Sequence, residues 1–126
     1  EWEYAARGTD GRTYPWGNEA PDATRAVFGG ADLAPVGSHP AGQGPFGTQD
    51  QAGNVLEWVG DWYGPYDSSL VNNPTGPDSG ESRVLRGGSW DLDTVRLRSA
   101  YWDGGNPSIS DGKLGFRCVR VPRPEP

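Results

Sequence analysis

Glycine and proline interrupt this chain so often that they leave little room for long helices, and polar turn clusters fill the gaps every few residues. With 20 Gly and 12 Pro among 126 residues, a loop-rich fold on a few short strands is expected. Only residues 1–7 read as a helix, with Trp2, Ala5 and Ala6 at near-helical spacing and Gly8 as a stop. The length and a 33% hydrophobic content allow one domain with a modest core, which 6 Trp, 5 Tyr and 3 Phe are expected to carry. These rings are spread along the whole chain, which argues against disorder despite the low mean hydropathy.

Val55–Val59, apolar on both sides of Glu57, reads as one strand and Ser82–Arg86 as a second, and the two are expected to pair centrally. Residues 115–121 alternate with period two, which predicts a third strand with Phe116 and Cys118 on one face and Arg117 and Val119 on the other. Thr9–Ser38 is expected to be ordered loop pinned by Tyr14, Trp16 and Phe28, and Ala41–Gln51 a further turn-rich stretch. The domain is drawn at 1–121, followed by an extended Pro-rich tail at 122–126.

The net charge of −6, with scattered arginines, disfavours a nucleic-acid partner. No apolar run approaches the roughly 20 residues of a membrane span, so no membrane insertion by this chain is expected. No charged-then-apolar signal segment opens the chain, and no compartment follows from that. Cys118 is the only cysteine, so no internal disulfide forms, and it is expected to be a small buried hydrophobe. His39, the only histidine, lacks neighbours for zinc or general-base chemistry. The pairs Gly29-Gly30, Gly87-Gly88 and Gly104-Gly105 fit no phosphate loop and read as tight turns or close backbone packing.

Several segments in order carry a family likeness: Glu1-Trp2-Glu3-Tyr4-Ala5-Ala6-Arg7-Gly8, Tyr14-Pro15-Trp16-Gly17, Pro35-Val36-Gly37-Ser38 and Ala52-Gly53-Asn54-Val55-Leu56-Glu57-Trp58. They continue through Asp61-Trp62-Tyr63, Asn73-Pro74-Thr75-Gly76-Pro77, Arg83-Val84-Leu85-Arg86-Gly87-Gly88-Ser89-Trp90, Arg98-Ser99-Ala100 and Gly115-Phe116-Arg117-Cys118. Together they resemble the sulfatase-modifying-factor, or formylglycine-generating-enzyme, family. The resemblance implies an α+β, C-type-lectin-like fold, loop-rich with short antiparallel strands and little helix. Family members begin their matching helix slightly earlier, so the chain is expected to be the C-terminal part of a longer protein or a trimmed piece of one.

Catalytic members of that family carry two copper-binding cysteines just after the segment matching Gly87-Gly88-Ser89-Trp90. Here that stretch reads Asp91-Leu92-Asp93-Thr94-Val95. Carboxylate and leucine side chains supply neither soft Cu(I) ligands nor a thiolate for substrate attachment, so no copper and no cysteine-based oxidase activity are expected. Cys118 matches a position outside the catalytic pair. The segment Asp50–Glu57 is similar to one in which family members hold calcium. The match gives Asp50 and Glu57 as side-chain ligands and Gly53 and Val55 as backbone ligands, a hard-oxygen set suited to a structural Ca²⁺. The alternative is that Asp50 caps a turn and Glu57 pairs with an arginine. At a second calcium segment Val27 stands where a side-chain oxygen would be needed, and nothing is carried over there.

Residues 91–113 are more specific still. They resemble the variable segment of the C-type-lectin-fold variable proteins of diversity-generating retroelements, whose fixed skeleton matches Gly87-Gly88-Ser89-Trp90, Leu97-Arg98-Ser99-Ala100, Pro107 and Gly115-Phe116-Arg117. Between the fixed points lie Asp91, Leu92, Asp93, Arg96, Tyr101, Trp102, Asp103, Gly104, Gly105, Ile109, Asp111, Gly112 and Lys113. Most are reachable from an asparagine codon by changing its adenines, and Trp102 is one adenine change from an arginine codon; Lys113 departs from this route. Ile109 and Lys113 are also the sole isoleucine and lysine of the chain.

Tyr101 and Trp102 would offer rigid contact area, and the glycines and aspartates adaptable polar contact. The alternative makes these ordinary loop residues, with both rings packed inward. The function expected is therefore non-catalytic ligand binding, a hypervariable surface at 91–113 facing a macromolecular or cell-surface ligand. The alternatives are a formylglycine-generating-type oxidase or related enzyme, and a structural accessory domain.

Overall fold

The computed structural model describes residues 1–30, 32–66, 69 and 74–120. The tail at 122–126, Val121 of the third expected strand and Asn73 of the sequence motifs lie outside them. The chain opens on helix α1 (Trp2–Arg7), ended by Gly8 at φ 61. A 3-10 turn (Pro40–Gly42) follows, and then strands β1 (Leu56–Trp62), β2 (Arg83–Arg86), β3 (Trp102–Gly105) and β4 (Leu114–Gly115). The one sheet has the order β3-β2-β1-β4. β1 and β2 form its antiparallel centre, as the sequence predicts, with Glu57 opposite Arg86 and Trp58 opposite Leu85.

Three expectations are corrected. β1 runs on past Val59 to Trp62, with a register shift between Trp58 and Trp62. The third predicted strand is reduced to β4, which pairs with β1 in parallel through Leu56–Leu114 and Glu57–Gly115, so the strands are not all antiparallel. Beyond Gly115, Arg117 turns to Glu57 and to the carbonyls of Gln49 and Asp50. That anchoring takes the chain off the ladder and leaves Phe116, Cys118 and Val119 exposed. β3, in contrast, arises where Gly104-Gly105 read as a tight turn or close backbone packing: the pair lies in a strand and not a turn, and the close packing is observed.

The core also differs from expectation. Among the described residues the buried hydrophobics are Ala6, Ala26, Val27, Ala52, Leu56, Val84, Leu85 and Leu97, with no aromatic ring among them. Tyr14, Trp16 and Phe28 pack from outside onto Ala26, Ala52 and Leu97, and so pin the long loop. Aromatics that line a small aliphatic centre still remove much apolar area from water while keeping polar edges wet.

α1 lies against the middle of the sheet through its polar side chains. Trp2 Nε1 donates to Glu57 at 2.6 Å, and Glu3 meets Arg86 at 3.0 Å and Arg7 at 3.4 Å. Glu57 and Arg86, partners across β1 and β2, are 5% and 8% exposed. Each takes its counter-charge from elsewhere, Glu57 from Arg117 and Arg86 from Glu3. Two charges can be buried here because both are paired and hydrogen-bonded.

Candidate functional site

The stretch from Arg86 to Arg117 divides into residues fastened to the scaffold and residues that face out. Gly87 and Gly88 adopt φ 90 and 73, and a Cβ on Gly88 would stand 3.0 Å from the Arg96 carbonyl. Backbone bonds hold the turn that follows: Gly53 N–H to Gly87 O, Trp90 N–H to Asn54 O, and Gly29 and Gly30 N–H to Leu92 O and Trp90 O. Leu97 and Ser99 are fully buried, and Ser99 N–H donates to Thr13 O at 2.9 Å. Each of these bonds joins the segment to a distant loop, so its backbone path is set by the scaffold.

None of the thirteen positions between the fixed points is buried. Asp93, Asp103, Ile109, Asp111 and Gly112 are exposed. Asp91, also exposed, accepts hydrogen bonds from the Ser89 hydroxyl and from Lys113 at 3.2 Å, tying the two ends of the window together. The Ser89 hydroxyl first, and Lys113 after it, hold the Asp91 carboxyl below the usual range. Leu92 is half-buried through its turn, and Arg96 pairs with Asp93 at 3.2 Å and sits 5.9 Å from the Tyr101 ring centre.

Tyr101 and Trp102 are half-buried. Trp102 packs sideways against two exposed rings, Tyr63 at 4.6 Å and Tyr66 at 4.9 Å between centroids. Sequence reasoning took Tyr63 only as part of a family motif and passed over Tyr66, and it assigned neither to a contact surface. The available signal was the density of rings in Trp62-Tyr63-Gly64-Pro65-Tyr66, just past β1.

Gly104 and Gly105 stand apart from the rest. A Cβ on Gly104 would lie 2.8 Å from the Tyr63 ring, and one on Gly105 2.8 Å from Leu85 and Trp58. Neither has room for a side chain unless β3 or its neighbours shift, so their part in any surface is to let β3 and the aromatic cluster close up.

Asp50, Val55 and Glu57 line one depression of about 210 Å³, together with Phe116 and Arg117. Gly53, fourth of the suggested calcium ligands, does not line it; its Cα faces the Val27 carbonyl, which a Cβ would approach to 2.2 Å. Asp50 accepts the Gly37 N–H at 2.6 Å. Arg117 Nε donates to Glu57 at 2.7 Å, and a terminal nitrogen of Arg117 reaches both the other Glu57 oxygen and the Asp50 carbonyl. Two carboxylates and nearby loop carbonyls are the donors calcium takes, so the set fits in kind. An ion there would share Glu57 with a guanidinium, the pairing that the alternative reading named.

Cys118 is exposed, contrary to expectation, because the chain leaves the sheet before reaching it. His39 is half-buried and shares a hydrogen bond with Ser38. Among the described residues no three His, Cys, Asp or Glu side chains gather as a metal cluster. A second and larger depression, about 400 Å³, opens between Arg7, Arg12, Thr13, Arg98 and Tyr101.

Residues 1–122 match the family model of the sulfatase-modifying factor enzyme 1-like domain. The chain is 42% identical over 94% of its length to a formylglycine-generating enzyme of Streptomyces coelicolor, of which it covers 44%. It is 42% identical over 95% of its length to the serine/threonine-protein kinase pkn1 of Chlamydia caviae, of which it covers 20%. Among solved structures it is similar to Treponema denticola variable protein 1, with a TM-score of 0.77, 29% identity, and coverage of 92% of this chain and 43% of that one. The chain thus spans less than half the length of each of these relatives.

Proposed function

The chain belongs to the family of the sulfatase-modifying factor enzyme 1-like domain, and on that premise we propose that it is a non-catalytic, ligand-binding member that displays residues 91–113 to a macromolecular or cell-surface partner. One observation carries the reading: the thirteen candidate contact residues are exposed or half-buried, whereas Leu97 and Ser99 between them, and Gly87, Gly88 and Ser89 just before them, are buried. Substitution at most of the thirteen therefore changes what a partner meets without opening the core. Similarity to a variable protein supports the same reading. Gly104 and Gly105 are left out of the varying set for want of space, and Tyr63 and Tyr66 join the contact surface as the fixed rings beside Trp102.

Comparing the locus across related isolates tests this. Amino-acid changes should concentrate at the exposed positions of 91–113 and spare 87–90, 97–100 and 115–117, with a near-copy of the coding segment and a reverse transcriptase gene close by. An even spread of changes, with no such copy, would overturn it.

The 42% identity to a formylglycine-generating enzyme favours a second reading, an enzyme. With one cysteine in the chain, that reading needs a reagent other than a thiol pair. Incubation with copper, oxygen and a cysteine-containing sulfatase peptide separates the two, since turnover sinks the display reading. As part of the proposal, calcium is assigned to Asp50, Val55 and Glu57, which line one depression, and not to Gly53, which does not. Adding calcium should raise Tm relative to chelator, and an unchanged Tm would leave Arg117 as the only counter-charge to Glu57.

A further inference from the structure

We infer that the depression between α1, the turn at Gly11–Thr13 and the segment Arg98–Tyr101 binds a tetrahedral oxyanion, a phosphoryl or sulfuryl group. The chain as a whole carries −6, yet three arginines converge here. Their partners differ. Arg12 is already engaged at every nitrogen, with Nε and a terminal nitrogen on Asp10 and the other on the Pro15 carbonyl. Among the described residues Arg7 has a single ion-pair contact, Glu3 at 3.4 Å, and Glu3 is shared with Arg86.

Arg98 donates only Nε, to the Val95 carbonyl at 3.2 Å, and has no carboxylate among the described residues. Its two terminal nitrogens are thus, among the described residues, an unclaimed fork, the geometry that matches a pair of oxyanion oxygens. The backbone that carries this exposed side chain is held in place. Leu97 and Ser99 on either side are fully buried, and the Ser99 N–H is bonded to Thr13 O on the opposite wall.

The volume, about 400 Å³ and open to solvent, admits a tetrahedral anion attached to a larger body. Tyr101 lines the depression and also belongs to the displayed window. Assigning the anion to the displayed domain's own partner rests on the display reading; the anion site itself does not.

The test is a titration of the full chain with inorganic phosphate, sulfate and acetate, followed by the amide resonances of Thr13, Ala100 and Tyr101. Phosphate and sulfate should give saturable shifts and acetate only weak ones. Arg98→Gln should weaken phosphate about tenfold, while Arg120→Gln, outside the depression, should not. Asp10→Asn releases Arg12 and should strengthen binding several-fold, an outcome that damaged folding could not produce. Shifts that never saturate, or that survive Arg98→Gln unchanged, would overturn the site. A preference for one of phosphate and sulfate identifies which group the partner carries. Since none of these readouts involves a partner, failure here leaves the display reading standing, and an invariant locus leaves the anion site standing.

Discussion

Asp91 shows how one residue can face outward and still be held in a single orientation. Folding favours its ionised form through the Ser89 hydroxyl and Lys113, so its folded pKa lies below the unfolded value of about 3.9. The stabilisation from this link is complete above that unfolded value and is lost as pH falls through the lower folded one. Ser89→Ala should raise the Asp91 titration midpoint toward the ordinary range, as followed by side-chain carboxyl NMR; an unmoved midpoint would remove the hydroxyl as the cause. Gly53 is bound by sterics instead. Its φ of 78 and the 2.2 Å approach of a Cβ to Val27 O should make Gly53→Ala cost about 2–4 kcal/mol in urea unfolding. Gly112→Ala, with open space around it, should stay within about 0.5 kcal/mol.

At the level of elements, legibility followed the strength of local signals. α1 was readable from its alanines and Gly8, and β1 and β2 from apolar runs with Val and Leu. β3 was not, because Trp-Asp-Gly-Gly lacks alternation and is a strand only through its pairing with β2 and the close approach of Tyr63 and Trp58. The alternation at 115–121 was real in sequence but was overridden by Arg117, whose contacts with Glu57 and two carbonyls lie some 60 residues away. The outward-facing window was legible because its fixed skeleton is distinctive; Tyr63 and Tyr66 were not, since they join it only through tertiary contact. Removing Arg117 leaves Glu57 nearly buried without its guanidinium. Arg117→Met should cost about 2–3 kcal/mol, with a much smaller added cost in the Glu57→Gln background, as read by a double-mutant cycle.

For the molecule as a whole, the α+β, loop-rich, C-type-lectin-like architecture rests on a small aliphatic centre, and Leu97 brings that centre into the middle of segment 91–113. Leu97→Ala should therefore cost about 3 kcal/mol, far more than replacing its exposed neighbour Val95, a contrast thermal denaturation can read. The sheet order carries one more consequence. Residues 106–113 run from Gly105 on one outer strand, at the Trp62 end of β1, to Leu114 on the other, at the Leu56 end. Three strand spacings, and a rise that β2 covers in about four residues because β1 bulges between Trp58 and Trp62, make a diagonal of about 20 Å. Turns closed by Ile109 N–H to Asn106 O and Leu114 N–H to Asp111 O, plus the remaining steps, reach about the same distance. Because the strap must also pass over a face of the sheet, it has little length to spare. Deleting Ser110 should pull an outer strand loose and lower Tm sharply, whereas replacing it should not: spelling here is free, and word length is not.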